Sequence, residues 1–242
     1  MEHAEPRGLS RRRVEQLLSR TKHHDSAASR IDVLSRHFLG QPYKPNPLIG
    51  SADDAEVFTA SFDGFDCVTY IETVVALARA SSVEDFSEWL RKIRYERGRI
   101  QWQRRNHYMT QWIRNNVREG MIKPVSTPAV PTLSRERILN VVPGLAPQRA
   151  RVKCVPKPAV PRLKRYLQSG DLIFFASTRK NLDMFHSGII VRDGNKVSMR
   201  HASRSQGAVV EQELSEFLKA NRMAGVVVVR PQPVTRRIAV SG

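Results

Sequence analysis

Hydrophobic residues change their spacing partway along this chain, and that change limits the folds open to it. Up to about residue 118 they return every third or fourth position, the period of a helix face; beyond about residue 170 they gather in short β-rich runs separated by turn residues. Val14, Leu17 and Leu18 predict a helix over 9–20, and Ile31, Leu34 and Phe38, closed by Gly40, predict a second over 28–39. After the loop QPYKPNPLIG, residues 56–62 alternate as a strand does, and Asp63-Gly64 turns the chain into a helix from Cys67; further helices are predicted over 83–95 and 107–118. DLIFFAS, HSGIIVRD, KVSMRHAS and GVVVVRP read as strands, the last preceded by a helix over 211–221. Helices early and strands late predict an α+β domain built on an antiparallel sheet. Residues 121–165, rich in proline and basic residues with one short helical pattern at 135–141, read as an extended, partly ordered insertion.

Composition removes several classes. Two cysteines in 242 residues cannot form a disulfide scaffold, and Cys67 and Cys154 lie in unlike contexts, so both are expected as free thiols. No apolar run approaches the roughly 20 residues that span a bilayer. The start, MEHAEPRGLSRRRVEQLLSR, has no apolar stretch behind its basic residues, so no secretory leader is legible. As written the chain reads as cytoplasmic; it reads as periplasmic or exported if a leader has been removed. A net charge of +17 draws polyanions, whether nucleic acid, anionic lipid or an acidic wall polymer. CxxC, HxxxH and HExxH spacings are missing, as are a G-x-S-x-G elbow and a phosphate loop ending in G-K-[ST], which leaves metal, serine-hydrolase and nucleotide chemistry without support.

The stretch FDGFDCVTY places Cys67 at the first turn of a helix, with Asp66 as its N-cap. Unpaired N–H groups and the positive end of the helix dipole favour a thiolate there, whereas the Asp66 charge opposes one, so a nucleophile at this position requires a base. The competing role is packing, because Cys67 shares a stripe with Ile71 and Val74.

Two histidines are placed to supply that base. Gly194-Asn195 suits a two-residue hairpin loop, which makes Asp193 oppose Lys196, Gly188 oppose His201 and His186 oppose Ser203. His186 and His201 then share one sheet face as diagonal neighbours, roughly 7 to 8 Å apart at the backbone, within reach of two imidazoles. A slip of one residue would separate them to opposite faces.

DGFDCVTYIE, SGDLIFF, FHSGIIV and RHAS, in that order, resemble the NlpC-type cysteine hydrolases, papain-like enzymes that cut peptidoglycan peptides. IRYERGRI, RRNHYMTQWIRNN and GVVVVRP further resemble, within that group, the N-acetylmuramoyl-L-alanine amidase-like family, over about Phe58 to Pro231. The resemblance implies a papain-like domain over 46–234, its nucleophile helix packed on the sheet. Residues 1–45 form a helical extension packed on that domain, 121–165 an insertion, and 235–242 a tail. It also implies Cys67 as nucleophile, His186 as base and then acid, and His201 as the group that orients His186, with the Cys67 N–H as oxyanion donor.

Around these residues the sequence leaves alternatives. Tyr70 either adds a hydroxyl to the site or packs; Glu72 meets a substrate amine or pairs with an arginine. Arg105, His107 and Tyr108, in the run Arg104–Tyr108, bind stem-peptide carboxylates and a sugar face or form a solvated helix start. The activity implied is hydrolysis of the amide between N-acetylmuramic acid, or its anhydro form, and L-alanine. A D-Glu/diamino-acid endopeptidase would use the same core. The rival from another class is a polyanion-binding protein without catalysis, using Arg11–Arg13, Arg149–Lys157 and Arg162–Arg165, with Trp102, His107, Tyr108 and Trp112 stacking on bases. No standard nucleic-acid signature is present, so nucleic acid is not expected as a partner. A monomer acting on muropeptide or peptidoglycan, attracted to anionic envelope polymers and needing no metal or other cofactor, is the reading carried forward.

Overall fold

The protein is described by a computed structural model over residues 4–234; the predicted 235–242 tail lies outside the described residues. Five helices come first: α1 (Arg11–Thr21), α2 (Ala27–His37), α3 (Cys67–Arg79), α4 (Val83–Arg94) and α5 (Met109–Arg118). Local chemistry sets their starts. Ser10, Ser26 and Ser82 each accept a first-turn N–H of α1, α2 and α4, and Asp66 with Thr69 forms a reciprocal capping box on α3. α5 borrows its cap from elsewhere in the chain: Asp183 Oδ2 accepts the Thr110 N–H at 2.7 Å and its hydroxyl at 2.8 Å.

The rest is dominated by one sheet. Its strands are β1 (Ile122–Pro124), β2 (Leu133–Leu139), β3 (Gln148–Pro156), β4 (Leu172–Ala176), β5 (Met184–Asp193), β6 (Lys196–Ser203), β7 (Ala208–Glu213) and β8 (Gly225–Pro231), with short helices α6 (Val160–Leu163) and α7 (Leu214–Ala220) between them. Spatial order is β2-β3-β8-β4-β5-β6-β7, every pairing antiparallel, with β1 also on β8. Both faces are covered. On one, Leu172, Phe174, Ile189, Ala202 and Val229 pack under Ile71, Val74 and Val75 of α3, with Val14, Leu17, Ile31 and Leu34 of α1 and α2 in the same core. On the other, Ile173, Phe175, Ile190, Met199 and Val228 meet Val160, Leu163, Leu214 and Phe217 of α6 and α7. This explains why DLIFFAS is apolar throughout rather than alternating: β4 is central and buried on both sides.

Three predicted elements differ from the observed ones. Residues 56–62 form no strand; Val57 and Thr59 make only isolated bridges to Ile49 and Arg7, because no neighbouring strand lies alongside. The helical pattern at 135–141 is instead β2, held in a seven-residue antiparallel register from Leu133↔Cys154 to Leu139↔Gln148 that overrides the local pattern. The helix expected from 211 begins only at Leu214, since Glu211, Gln212 and Glu213 complete the β6–β7 ladder. The 121–165 region is thus ordered strand and helix, with β2 and β3 as a long hairpin.

Candidate active site

Cys67 is the first residue of α3. Asp66 Oδ1 accepts the N–H of Val68 at 3.1 Å and of Thr69 at 2.7 Å, which leaves the Cys67 N–H as the first-turn donor the cap does not consume. α3 packs against β5 and β6, and the Ser187 hydroxyl of β5 donates to the Cys67 carbonyl at 2.9 Å. The helix start is thereby fixed to the residue that follows His186.

The hairpin carrying the histidines has the predicted register, running from Asp193↔Lys196 to Ile189↔Arg200 around a turn in which Gly194 has φ +54°. One step further, a Cβ on Gly188 would lie 3.3 Å from the Cβ of His201 and 3.1 Å from the Arg200 carbonyl, so glycine is what admits the close approach. His186 Nε2 and His201 Nδ1 are 2.7 Å apart, their rings nearly perpendicular. Phe217 lies against both, stacked on His186 with centroids 5.3 Å apart, and Phe175 flanks His186 at 6.1 Å. His201 is 1 % exposed, and its Nε2 is buried without a hydrogen-bond partner among the described residues.

Burial governs the protonation of all three groups. It pushes the Cys67 thiol up to about 12, with the Asp66 carboxylate adding to the rise and hydrogen bonding from Ser187 and from the cysteine's own main chain opposing it. Burial lowers His186 to about 3, helped by His201, and lowers His201 to about 4 against a smaller opposing effect of the nearby Gln212 side chain. At rest these groups are therefore a neutral thiol and two neutral imidazoles. No hydrogen bond joins the thiol to His186 at rest; the contact of Cys67 with β5 runs through Ser187, whose side chain leaves the strand on the opposite face from His186.

Next to the α3 start lies a cleft of about 330 Å³, lined by Asn46, Leu48, Asp66, Val68, Arg105 and His107, among others. Arg105 reaches the Gly50 carbonyl at 3.1 Å and Glu56 at 3.5 Å. The His107 ring bonds the Trp102 carbonyl at 2.7 Å and is lowered to about 4 by burial. Glu72 lies at the floor, where its carboxylate pairs with Arg94 at 2.8 Å and accepts from Trp112 Nε1 at 3.1 Å; of its two expected roles, the arginine pairing is the observed one.

Two other expectations are corrected by burial. Tyr70 is fully buried with its hydroxyl donated to the Ser35 carbonyl, and Tyr108 is buried with its hydroxyl accepting the N–H groups of Val141 and Val142; both hold the fold and neither lines the cleft. Trp102 and Trp112 are buried as well, which removes the ring surfaces that the nucleic-acid reading required. Asn46, Leu48, Arg94 and Ser187 were not singled out from the sequence. Only Ser187 carried a signal, as the small residue following His186.

Comparison with known proteins follows this geometry. The model of the AmiA-like, or N-acetylmuramoyl-L-alanine amidase-like, family matches residues 33–226. A Legionella pneumophila protein of family DUF1460 shares the fold at TM-score 0.81 and 22% identity, over 92% of this chain and 94% of its own. A structure named as an N-acetylmuramoyl-L-alanine amidase from Bacteroides uniformis superposes at TM-score 0.75 with 26% identity, over 85% of this chain and 99% of its own. No curated protein sequence matches. With four-fifths of its length matched in one continuous span, the chain belongs to the N-acetylmuramoyl-L-alanine amidase-like family.

Proposed function

We propose that the chain is a papain-like, NlpC-type cysteine amidase that hydrolyses the amide between N-acetylmuramic acid, or its anhydro form, and the L-alanine of a stem peptide. The observation that carries this reading is the 2.7 Å His186–His201 bond on β5 and β6, the two strands against which the helix starting at Cys67 packs, in a chain of an amidase-like family. His201 occupies Nε2 of His186, so Nδ1 is the nitrogen left for sulfur. In the substrate complex Sγ must come within reach of that nitrogen; catalytic hydrogen bonds commonly tighten only there.

The Sγ–H proton then passes to His186 as sulfur bonds to the lactoyl carbonyl carbon, and the oxyanion faces the Cys67 N–H. His186 returns the proton to the departing L-alanine nitrogen, breaking the C–N bond and leaving a thioester. Water, deprotonated by His186, attacks the thioester and restores the thiol. Arg105, which lines the cleft, is the group assigned to a stem-peptide carboxylate.

Mass spectrometry of products from an anhydro-muramyl tripeptide, with wild type and Cys67→Ala in parallel, tests this. Release of the intact tripeptide by wild type alone is the expected result. Release of only the diamino acid would replace the amidase with the D-Glu/diamino-acid endopeptidase, and an unchanged substrate in both reactions would remove the catalytic reading.

A further inference from the structure

The hairpin of β2 and β3 is an arm rather than an integral part of the sheet. Only Val155 and Pro156 of β3 pair with β8, while residues 148–154 pair with β2 alone. One side of the arm is turned inward, where Leu133, Val152 and Cys154 join the core and Arg135 and Arg137 stand opposite Val152 and Ala150. On the other side Arg149, Arg151 and Lys153 alternate outward, all exposed, opposite Ile138, Glu136 and Ser134 of β2. Alternate residues of a strand stand roughly 7 Å apart, so these cations form a straight, evenly spaced row. Arg149 and Lys153 have no carboxylate partner among the described residues, and the Arg151–Glu136 pair is solvated, with side chains 74% and 68% exposed.

The far end of the arm packs behind the wall of the cleft. Its connecting loop, residues 140–147, donates two N–H groups to the Tyr108 hydroxyl, and Gly144 presses so closely on Ala52 and Trp102 that a Cβ there would lie 2.2 Å from the Ala52 methyl. Trp102 in turn packs on the cleft residue His107, ring centroids 4.7 Å apart. The row of cations therefore runs from the sheet edge toward the wall of the cleft.

We propose that this outer face of the arm docks the polymeric form of the substrate, a carboxylate-bearing glycan–peptide strand, and feeds it to the cleft; this rests on the amidase reading above. A row of three exposed cations, of which only Arg151 is paired and that in solvent, fits an extended anion with several charges, and its course toward the cleft wall fits the polymer whose fragment the cleft takes.

The test compares R149Q/R151Q/K153Q with a control of equal net charge, R12Q/R20Q/K22Q, altered at exposed positions of the N-terminal helices. Glutamine is chosen because a glutamate at 151 would face Glu136. The arm variant is expected to lose about tenfold in co-sedimentation with purified sacculi and in kcat/KM on sacculi. Its kcat/KM on the small anhydro-muramyl tripeptide should stay at the wild-type value, and the control should match wild type throughout. Equal loss in both variants would assign the effect to net charge and overturn the proposal, as would no loss in either, or DNA displacing sacculi from the wild type. Were no variant to cleave any substrate, the amidase reading would fall, and the co-sedimentation arm would still decide the docking face.

Discussion

At the scale of single residues, the site is defined by groups whose charged forms are disfavoured. The Cys67 thiol is pushed up to about 12 and His186 down to about 3, both chiefly by burial, so at neutral pH the pair holds its proton on sulfur. His186 must be neutral to accept that proton, and activity should fall only as pH drops through its lowered pKa. The acid limb of kcat/KM is accordingly expected below about pH 5, well under the position near 6.5 of an unperturbed imidazole. A limb centred between about pH 6 and 7 would show instead an imidazole that burial leaves unperturbed. Sequence reasoning singled out Cys67, His186 and His201 as candidates because each stands in a local pattern, a capped helix start or a hairpin of fixed loop length. It could not decide Tyr70 and Tyr108, since a tyrosine next to a catalytic group in sequence looks alike whether its ring points into a cleft or into the core.

At the scale of elements, the start of α3 sets the reactivity of its first residue. Asp66 caps the helix and also places a negative charge beside the sulfur, two effects of opposite sign on the thiol. Asp66→Asn keeps the cap, because asparagine accepts the same N–H groups about as well, and removes the charge. Alkylation of Cys67 by iodoacetamide at pH 8 should then quicken by about threefold or more, as a fall of half a pKa unit produces. An unchanged or slower rate would mean that Asp66 serves the site through the helix end and not through its charge. The register of β5 and β6 was legible from Gly194-Asn195, whereas β2 was misread as helical: its residues carry no decisive local signal, and the ladder with β3 alone makes them a strand.

Over the whole molecule, a buried cation joins the N-terminal helices to the strand that carries His201. Arg200 is fully buried and bonds Asp32 of α2 at 2.8 Å, Glu211 of β7 at 2.8 Å and the Ser35 hydroxyl at 2.8 Å. Arg200→Met fills similar space but leaves two carboxylates without their partner. Because those carboxylates keep about a third of their exposure, the loss of stability should be about 2–3 kcal/mol, below the usual cost of breaking a buried pair, and is read by urea unfolding. A change under about 0.5 kcal/mol, as for an ordinary surface substitution, would contradict this account. By itself the sequence determined the α+β class, the helix starts, the hairpin register and the shared face of His186 and His201, because hydrophobic period, caps and turn residues act over a few neighbours. The tertiary structure alone decided that the 121–165 region holds the β2–β3 arm packed behind the cleft wall, that Ser187 bonds the start of α3, that Tyr70, Tyr108, Trp102 and Trp112 are interior, and which way burial moves each titratable group. Those outcomes depend on which distant surfaces meet and exclude water, and no local stretch of sequence carries that information.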